Sequence, residues 1–365
     1  MLDLSRVLAG PLCTMMLADL GAKVIKIERP ISGDDTRGWG PPFDADGQSA
    51  YFLSVNRNKL SVSADLTLQD DIEFIRSLIR DADVVVDNFL PGTLARYGLD
   101  KAALLLDNAR LIWCTISGFG ASSTRPGYDF VVQAESGWMS VSGPESGPPM
   151  KAGVAFADVI TGKDAAVAIL AALHGRDRGV ASSRSIDISL SHSATAALVN
   201  VAQNVLVSGS DAGRWGNAHP NLVPYQLFDA ADRPFVIAVG TDGQWKAAAR
   251  ALDLTTLADA PDLDTNAGRL ARRRDVVAAI TARVAEAKAA HWIARLDEAG
   301  VPCGLVRSVR EALKDVACAA ATGVAPATGG SVRYPPPSRS AHEKLVRAEY
   351  WSAFDHVPIL ASRVV

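Results

Sequence analysis

Cysteine is scarce in this 365-residue chain: Cys13, Cys114, Cys303 and Cys318 are the only four, and none forms a CxxC pair. That spacing indicates neither a disulfide framework nor a thiolate metal site, and it fits a reducing, cytoplasmic compartment. An excess of one charge is lacking too. Lys and Arg number 37 against 40 Asp and Glu, a formal net charge of −3, which argues against the basic surface that a nucleic-acid backbone requires. Long apolar runs are missing. Those present, such as 165–173, fall well short of the ~20 residues that cross a bilayer, and residues 1–6 do not open an export signal. No membrane partner is expected. The six histidines stand singly without an HExxH pair, and no GxSxG elbow occurs, so no metal site is expected. Phosphate cradles are absent as well. Residues 8–13 read Leu-Ala-Gly-Pro-Leu-Cys, without the three glycines of a dinucleotide loop, and Gly162-Lys163 is followed by Asp164 where a P-loop has Ser or Thr.

What the chain does have is apolar content, 48% hydrophobic against 21% charged, enough to offset the ordering entropy of a packed core. Its length suggests two domains. Gly10-Pro11 opens a helix over 11–20 that stops at Gly21. A strand follows over 22–28, with β-branched residues at alternate positions, and further apolar runs at 82–87 and 111–116 are each preceded by helical sequence, 69–80 and 99–108. Alternating strand and helix predicts a parallel sheet covered on both faces. A compact helix at 164–174 and a strand at 185–190 complete this part. Beyond residue 200 the texture changes: a linker-like 208–213, a hairpin from 224–228 and 234–239, helices at 245–252 and 268–299, and a return strand at 301–306. The run Arg272-Arg273-Arg274-Asp275 reads as a solvated helix face, and the tail from Pro335 has weak periodicity.

Eight segments in one order carry a resemblance. They are Leu2 to Pro11, Leu20 to Pro30, Gly33-Asp34-Asp35-Thr36-Arg37, Asn56-Arg57-Asn58-Lys59, Asp87 to Gly92, Arg125-Pro126-Gly127-Tyr128-Asp129, Ala157 to Gly162, and Gly300 to Gly304. Together they resemble the family III CoA-transferases, the CaiB/BaiF group that includes the formyl-CoA and carnitine CoA-transferases and is related to the α-methylacyl-CoA racemases. The resemblance implies an α/β fold: a Rossmann-like parallel-sheet large domain with a smaller α+β domain, in an interlocked homodimer. The boundaries expected are 1–200 and 306–365 for the large domain and 220–305 for the small one.

The resemblance makes Asp158 the nucleophile. On the residues alone, Asp158 precedes an Ala-rich helix whose N-terminus would favour a carboxylate and an oxyanion, although a simple N-cap explains the position more readily. A carboxylate suits CoA exchange, because its attack on a thioester gives a mixed anhydride without ATP. The implied partners are an acyl-CoA and a carboxylic acid, with CoA as substrate and no permanently bound cofactor. Tyr128 and Asp129 align with active-site positions beside the acyl group. Arg37 aligns with an adenine contact, Asn88, Arg96 and Arg125 with further CoA contacts, and Arg57 with Lys59 forms a basic segment expected near phosphates. Leu8 stands where the formyl-CoA enzyme has glutamine, which weakens an oxalate-like acceptor, and the family's four-glycine loop is replaced by 213–220. Racemases of this group carry Gly-His-Asp where this chain has Gly127-Tyr128-Asp129, and a phenol is a poor base at pH 7. A racemase and a catalytically idle CoA-binding protein remain the alternatives.

Overall fold

The computed structural model describes residues 1–180, 183–321 and 325–360. The chain divides into two compact units, one of residues 1–139, 151–212 and the chain from Asp315 onward, the other of 140–150 and 213–314. Among the described residues no helix is long and apolar enough to cross a membrane.

The first unit is built on six strands, β1 (Leu2–Asp3), β2 (Val24–Glu28), β3 (Lys59–Ser63), β4 (Val84–Asp87), β5 (Ile112–Ser117) and β6 (Ser185–Ser189). They lie in the order β3-β2-β1-β4-β5-β6, with every neighbouring pair parallel. Parallel neighbours need long crossovers. The intervening chain supplies them as α1 (Ala9–Asp19), α2 (Gln69–Arg80), α3 (Lys101–Asp107), α4 (Asp129–Glu135) and α5 (Phe156–Asp177), with α6 (Leu190–Ala196) and α7 (Val199–Ser208) after β6. Because side chains alternate along a strand, β4 divides between two cores. Val84 and Val86 meet Cys13 and Leu17 of α1 and Ile169 of α5, while Val85 joins Leu2, Ile25, Ile75 and Leu78 on the other face.

Three differences from the sequence expectation have physical causes. Helix α5 begins at Phe156, well ahead of the apolar stretch that marked it, because its first turns pack closely on α1. A Cβ at Gly162 would sit 2.7 Å from the Ala9 carbonyl oxygen, so only glycine permits that approach. Strand β3 was not foreseen: Lys59, Ser61 and Ser63 alternate with Leu60 and Val62, and a buried lysine disguises the pattern. The tail is also ordered into the core. Asn58 accepts from the amides of Arg333 and Tyr334, and Tyr334, Val346 and Phe354 pack in the cluster that holds Leu78.

In the second unit, β7 (Tyr225–Asp229), β8 (Pro234–Ala238) and β9 (Cys303–Leu305) form an antiparallel sheet in that order. Trp245 of α8 (Asp242–Ala251), Val276 and Ile280 of α9 (Arg273–Val284) and Trp292 of α10 (Ala289–Glu298) share one core with Phe228 and Phe235. The helical stretch expected over 268–299 is therefore several helices. Arg272 sits at a junction, paired with Asp262 and Asp275.

Candidate active site

In an open parallel sheet, ligands bind outside the carboxyl ends of the strands where the strand order reverses, which in this first unit is between β1 and β4. A cavity of about 270 Å³ lies there. Its wall takes Arg6 and Leu8 from the turn after β1, Asn88 from the end of β4, Gly118 from the end of β5, and Tyr128 and Asp158 from the segments that follow.

The turn after β1 is held in an unfavourable conformation. Val7 has φ 71°, a left-handed value that costs a β-branched residue on the order of 1–3 kcal/mol. Neighbouring bonds offset it. The Asn88 side chain accepts from the Arg6 amide at 3.0 Å and donates to the Arg6 carbonyl at 2.7 Å, and the Val7 amide donates to Asp34 Oδ1 at 3.3 Å. Asp34 is itself fixed by a fully buried ion pair with Lys26 at 3.0 Å.

Asp158 occupies the first turn of α5, and its environment is set by Asp129 at the start of α4. Asp129 Oδ1 accepts from the amides of Ala157 at 2.7 Å and Asp158 at 3.4 Å. Its other oxygen accepts from Gln133 Nε2 at 2.7 Å, and Gln133, fully buried, is anchored by the Ala152 amide at 2.8 Å. The helix N-terminus expected to favour the Asp158 anion thus has two of its amides capped by a neighbouring carboxylate. Burial first, and the Asp129 charge second, push the Asp158 carboxyl up to about 7. Tyr51 is close enough to share this field: burial, then the charges of Asp158, Asp129 and Asp34, raise its phenol to about 12. A glycine pair sets the α4 entry. Gly118 and Gly127 face each other so closely that a Cβ on either would lie within 2.5 Å of the other's Cα, and this contact brings Tyr128 and Asp129 to the end of β5.

The residues nominated from sequence separate into two groups. Asp158, Tyr128, Asn88 and Arg125 line the cavity, with Asp129 supporting Asp158. Tyr128 is 59% exposed, which excludes a core role. The other four lie elsewhere. Arg37 makes a bidentate pair with Glu28, 2.7 Å for each bond, donates to the Pro337 carbonyl and stacks 3.6 Å from the Phe52 ring centroid. Arg57 grips Asp19 with bonds of 2.9 and 2.6 Å. Lys59 is fully buried and donates to Asp3, the Pro11 carbonyl and Asn56, and burial brings its ammonium down to about 8. The expectation of a basic segment facing phosphates is corrected to a structural one for Lys59. Arg96 is exposed at the end of a short helix and donates to the Thr93 hydroxyl at 3.2 Å. Sequence reasoning passed over Arg6, although it lies in the first matching segment, and Gln133, which stands one helical turn after Asp129.

Chemically, the cavity offers a carboxylate that is desolvated but ionisable near neutral pH, fixed at a helix start and open to a ligand. Such a group can attack an acyl carbon or exchange a proton. Among the described residues no group of three or more His, Cys, Asp or Glu is arranged to hold a metal ion.

Comparison with known proteins gives concordant matches. A family model described as CoA-transferase family III matches residues 1–346. Succinate–glutarate CoA-transferase of Agrobacterium fabrum is 42% identical over 323 residues, 86% of this chain and 80% of that protein. Succinyl-CoA:glutarate CoA-transferase of Mus musculus is 41% identical over 86% of this chain and 72% of that protein. The crystal structure of a CAIB/BAIF family protein from Brucella suis superposes with a TM-score of 0.83 at 38% identity, covering 95% of this chain and 97% of that one.

Proposed function

The chain belongs to CoA-transferase family III, and from that premise we propose that it moves CoA from a short dicarboxylic acyl-CoA to a free dicarboxylic acid through covalent intermediates on Asp158. The observation that carries this reading is the placement of Asp158, whose carboxyl faces the cavity at the sheet's switch point with Asp129 behind it. The names of the Agrobacterium and mouse relatives support succinate and glutarate as the class of acid.

In the proposed sequence the ionised Asp158 attacks the thioester carbonyl, the C–S bond breaks, and CoA leaves as thiolate from a mixed anhydride. The thiolate attacks the Asp158 carbonyl, releasing the donor acid as carboxylate and leaving an aspartyl thioester. The acceptor carboxylate attacks that thioester and expels the thiolate, which then attacks the acceptor's acyl carbon. Asp158 is regenerated, and no proton is gained or lost over the cycle. A desolvated carboxylate is the stronger nucleophile once ionised, which gives the raised pKa a use. Asn88, which locks the Arg6 turn, and the Tyr128 phenol are assigned to positioning the thioester.

The test is a mass-spectrometric assay of CoA transfer from succinyl-CoA to a panel of acids. Transfer to glutarate supports the reading, and no transfer to any acid contradicts it. Rapid deuterium incorporation at the α-carbon of a 2-methylacyl-CoA in D2O would instead indicate a racemase. We also propose that the active form is an interlocked homodimer, a reading supported by α7, which buries none of its residues and exposes Leu206 and Val207 by 77% and 78%.

A further inference from the structure

We infer that Arg125 is a specificity-determining residue that receives the distal carboxylate of the dicarboxylic acyl group, exchanging Glu135 for the substrate. This rests on the CoA-transferase reading and names what would select its acids. Among the described residues, Arg125 and Arg6 supply the guanidinium groups in the wall of the Asp158 cavity. Arg6 is engaged by Asp35 at 3.1 Å, its backbone is clamped by Asn88, and it packs against Phe89. Arg125 is differently placed. Its two terminal nitrogens donate to Glu135 at 3.1 and 2.6 Å, its guanidinium lies 4.1 Å from the Phe119 ring centroid, and both members of the ion pair are about half exposed, 57% and 47%. An exposed pair of this kind contributes little, so replacing Glu135 by a substrate carboxylate costs little. The ring contact keeps the planar fork oriented while its partner changes.

The spacing selects the length of acid. Helix α4 carries Asp129, which touches the Asp158 amide, at its first residue and Glu135, which holds Arg125, at its last. Six residues of helical rise separate them by about 9 Å. A five-carbon diacid spans about 5 Å between its terminal carbons. With a near-attack contact of about 3 Å at Asp158 and a charge-assisted hydrogen bond of about 2.8 Å at Arg125, it bridges a gap of this order. A two-carbon diacid falls about 2 Å short, and a monocarboxylic acid offers Arg125 nothing.

The experiment compares kcat/KM of the Arg125→Met variant for glutarate and for butyrate as acceptors, and for succinyl-CoA and butyryl-CoA as donors. The expected result is a fall of roughly ten- to a hundredfold in the dicarboxylic-to-monocarboxylic ratio on both sides of the reaction, the scale of one lost charge-assisted interaction. Arg125→Lys should restore part of that ratio, and Glu135→Gln, which removes the competing carboxylate, should lower KM for glutarate. An unchanged ratio, with KM rising equally for succinyl-CoA and butyryl-CoA, would assign Arg125 to the CoA moiety and overturn the inference. If the wild-type protein transfers no CoA at all, the parent reading falls, and calorimetric titration decides the inference on its own. Weaker glutarate binding to Arg125→Met than to the wild type supports it, and equal binding overturns it.

Discussion

Asp158 and Asp129 are neighbouring acids with different surroundings: one faces the cavity, and the other is consumed by two amides and Gln133. Activity that depends on the Asp158 carboxylate should therefore fall as pH drops through about 7, the value to which burial and Asp129 raise it. Removing the Asp129 charge in Asp129→Asn keeps an oxygen for the Ala157 amide while lowering the Asp158 pKa. The acid limb of a kcat/KM profile should move to lower pH in that variant, and an unmoved limb would show that Asp129 does not set it. The same shift has a stability sign. The folded state holds the Asp158 proton up to about 7 while the unfolded chain releases it near 3.8, so the wild type loses stability as pH rises across that window. Asp158→Asn is free of this loss. Urea unfolding should show the variant gaining on the wild type between pH 4 and pH 8, by on the order of 4 kcal/mol.

At this scale the sequence is a partial guide. Asp158 and Tyr128 stand in local motifs that could be singled out from the chain, and the structure places both in one cavity wall. The destinations of Arg37, Arg57 and Lys59 were not legible, since their partners Glu28, Asp19 and Asp3 lie up to 56 residues away and only the sheet brings them together. A cation's presence in a motif says nothing of whether an acid already claims it.

At the level of elements, β1 and β3, which are separated by β2 in the sheet, are joined by buried charge. Lys59 of β3 meets Asp3 of β1 at 3.0 Å, with both side chains fully buried. Removing one partner leaves an uncompensated buried charge, so Lys59→Ala should destabilise the fold by about 3–5 kcal/mol in denaturant titration. If Lys59 instead served phosphate binding, the variant would keep its stability and lose affinity for CoA. The loop between β5 and α4 depends on glycine. Gly127→Ala would force backbone atoms apart, since its Cβ would meet the Gly118 Cα at 2.4 Å, and transfer activity should drop with a smaller loss of stability. Strands rich in Val and Ile and helices bounded by Gly were readable from the chain. Strand β3 and the tail were not, because alternate Lys and Ser conceal the one and the anchors Tyr334, Val346 and Phe354 are too widely spaced in the other.

For the whole molecule, the near-neutral charge acquires a specific meaning. At net −3 the protein has no global field to draw in a polyanionic thioester, so capture rests on local groups rather than on overall charge. The apolar faces left open on α7 carry the proposed homodimer. Light scattering should find a dimer that does not dissociate into folded monomer on dilution, and a Leu206→Glu, Val207→Glu double variant should impair assembly. A wild-type monomer appearing on dilution would contradict the interlocked arrangement.

The central claim, that CoA passes through Asp158 itself, is tested most directly by trapping. The protein is incubated with succinyl-CoA and hydroxylamine, digested, and its peptides are weighed by mass spectrometry. An acylated Asp158, as anhydride or thioester, is captured as the aspartyl hydroxamate at that one position, and this is the result expected. An unmodified Asp158 under conditions in which the same preparation transfers CoA to glutarate would contradict the account.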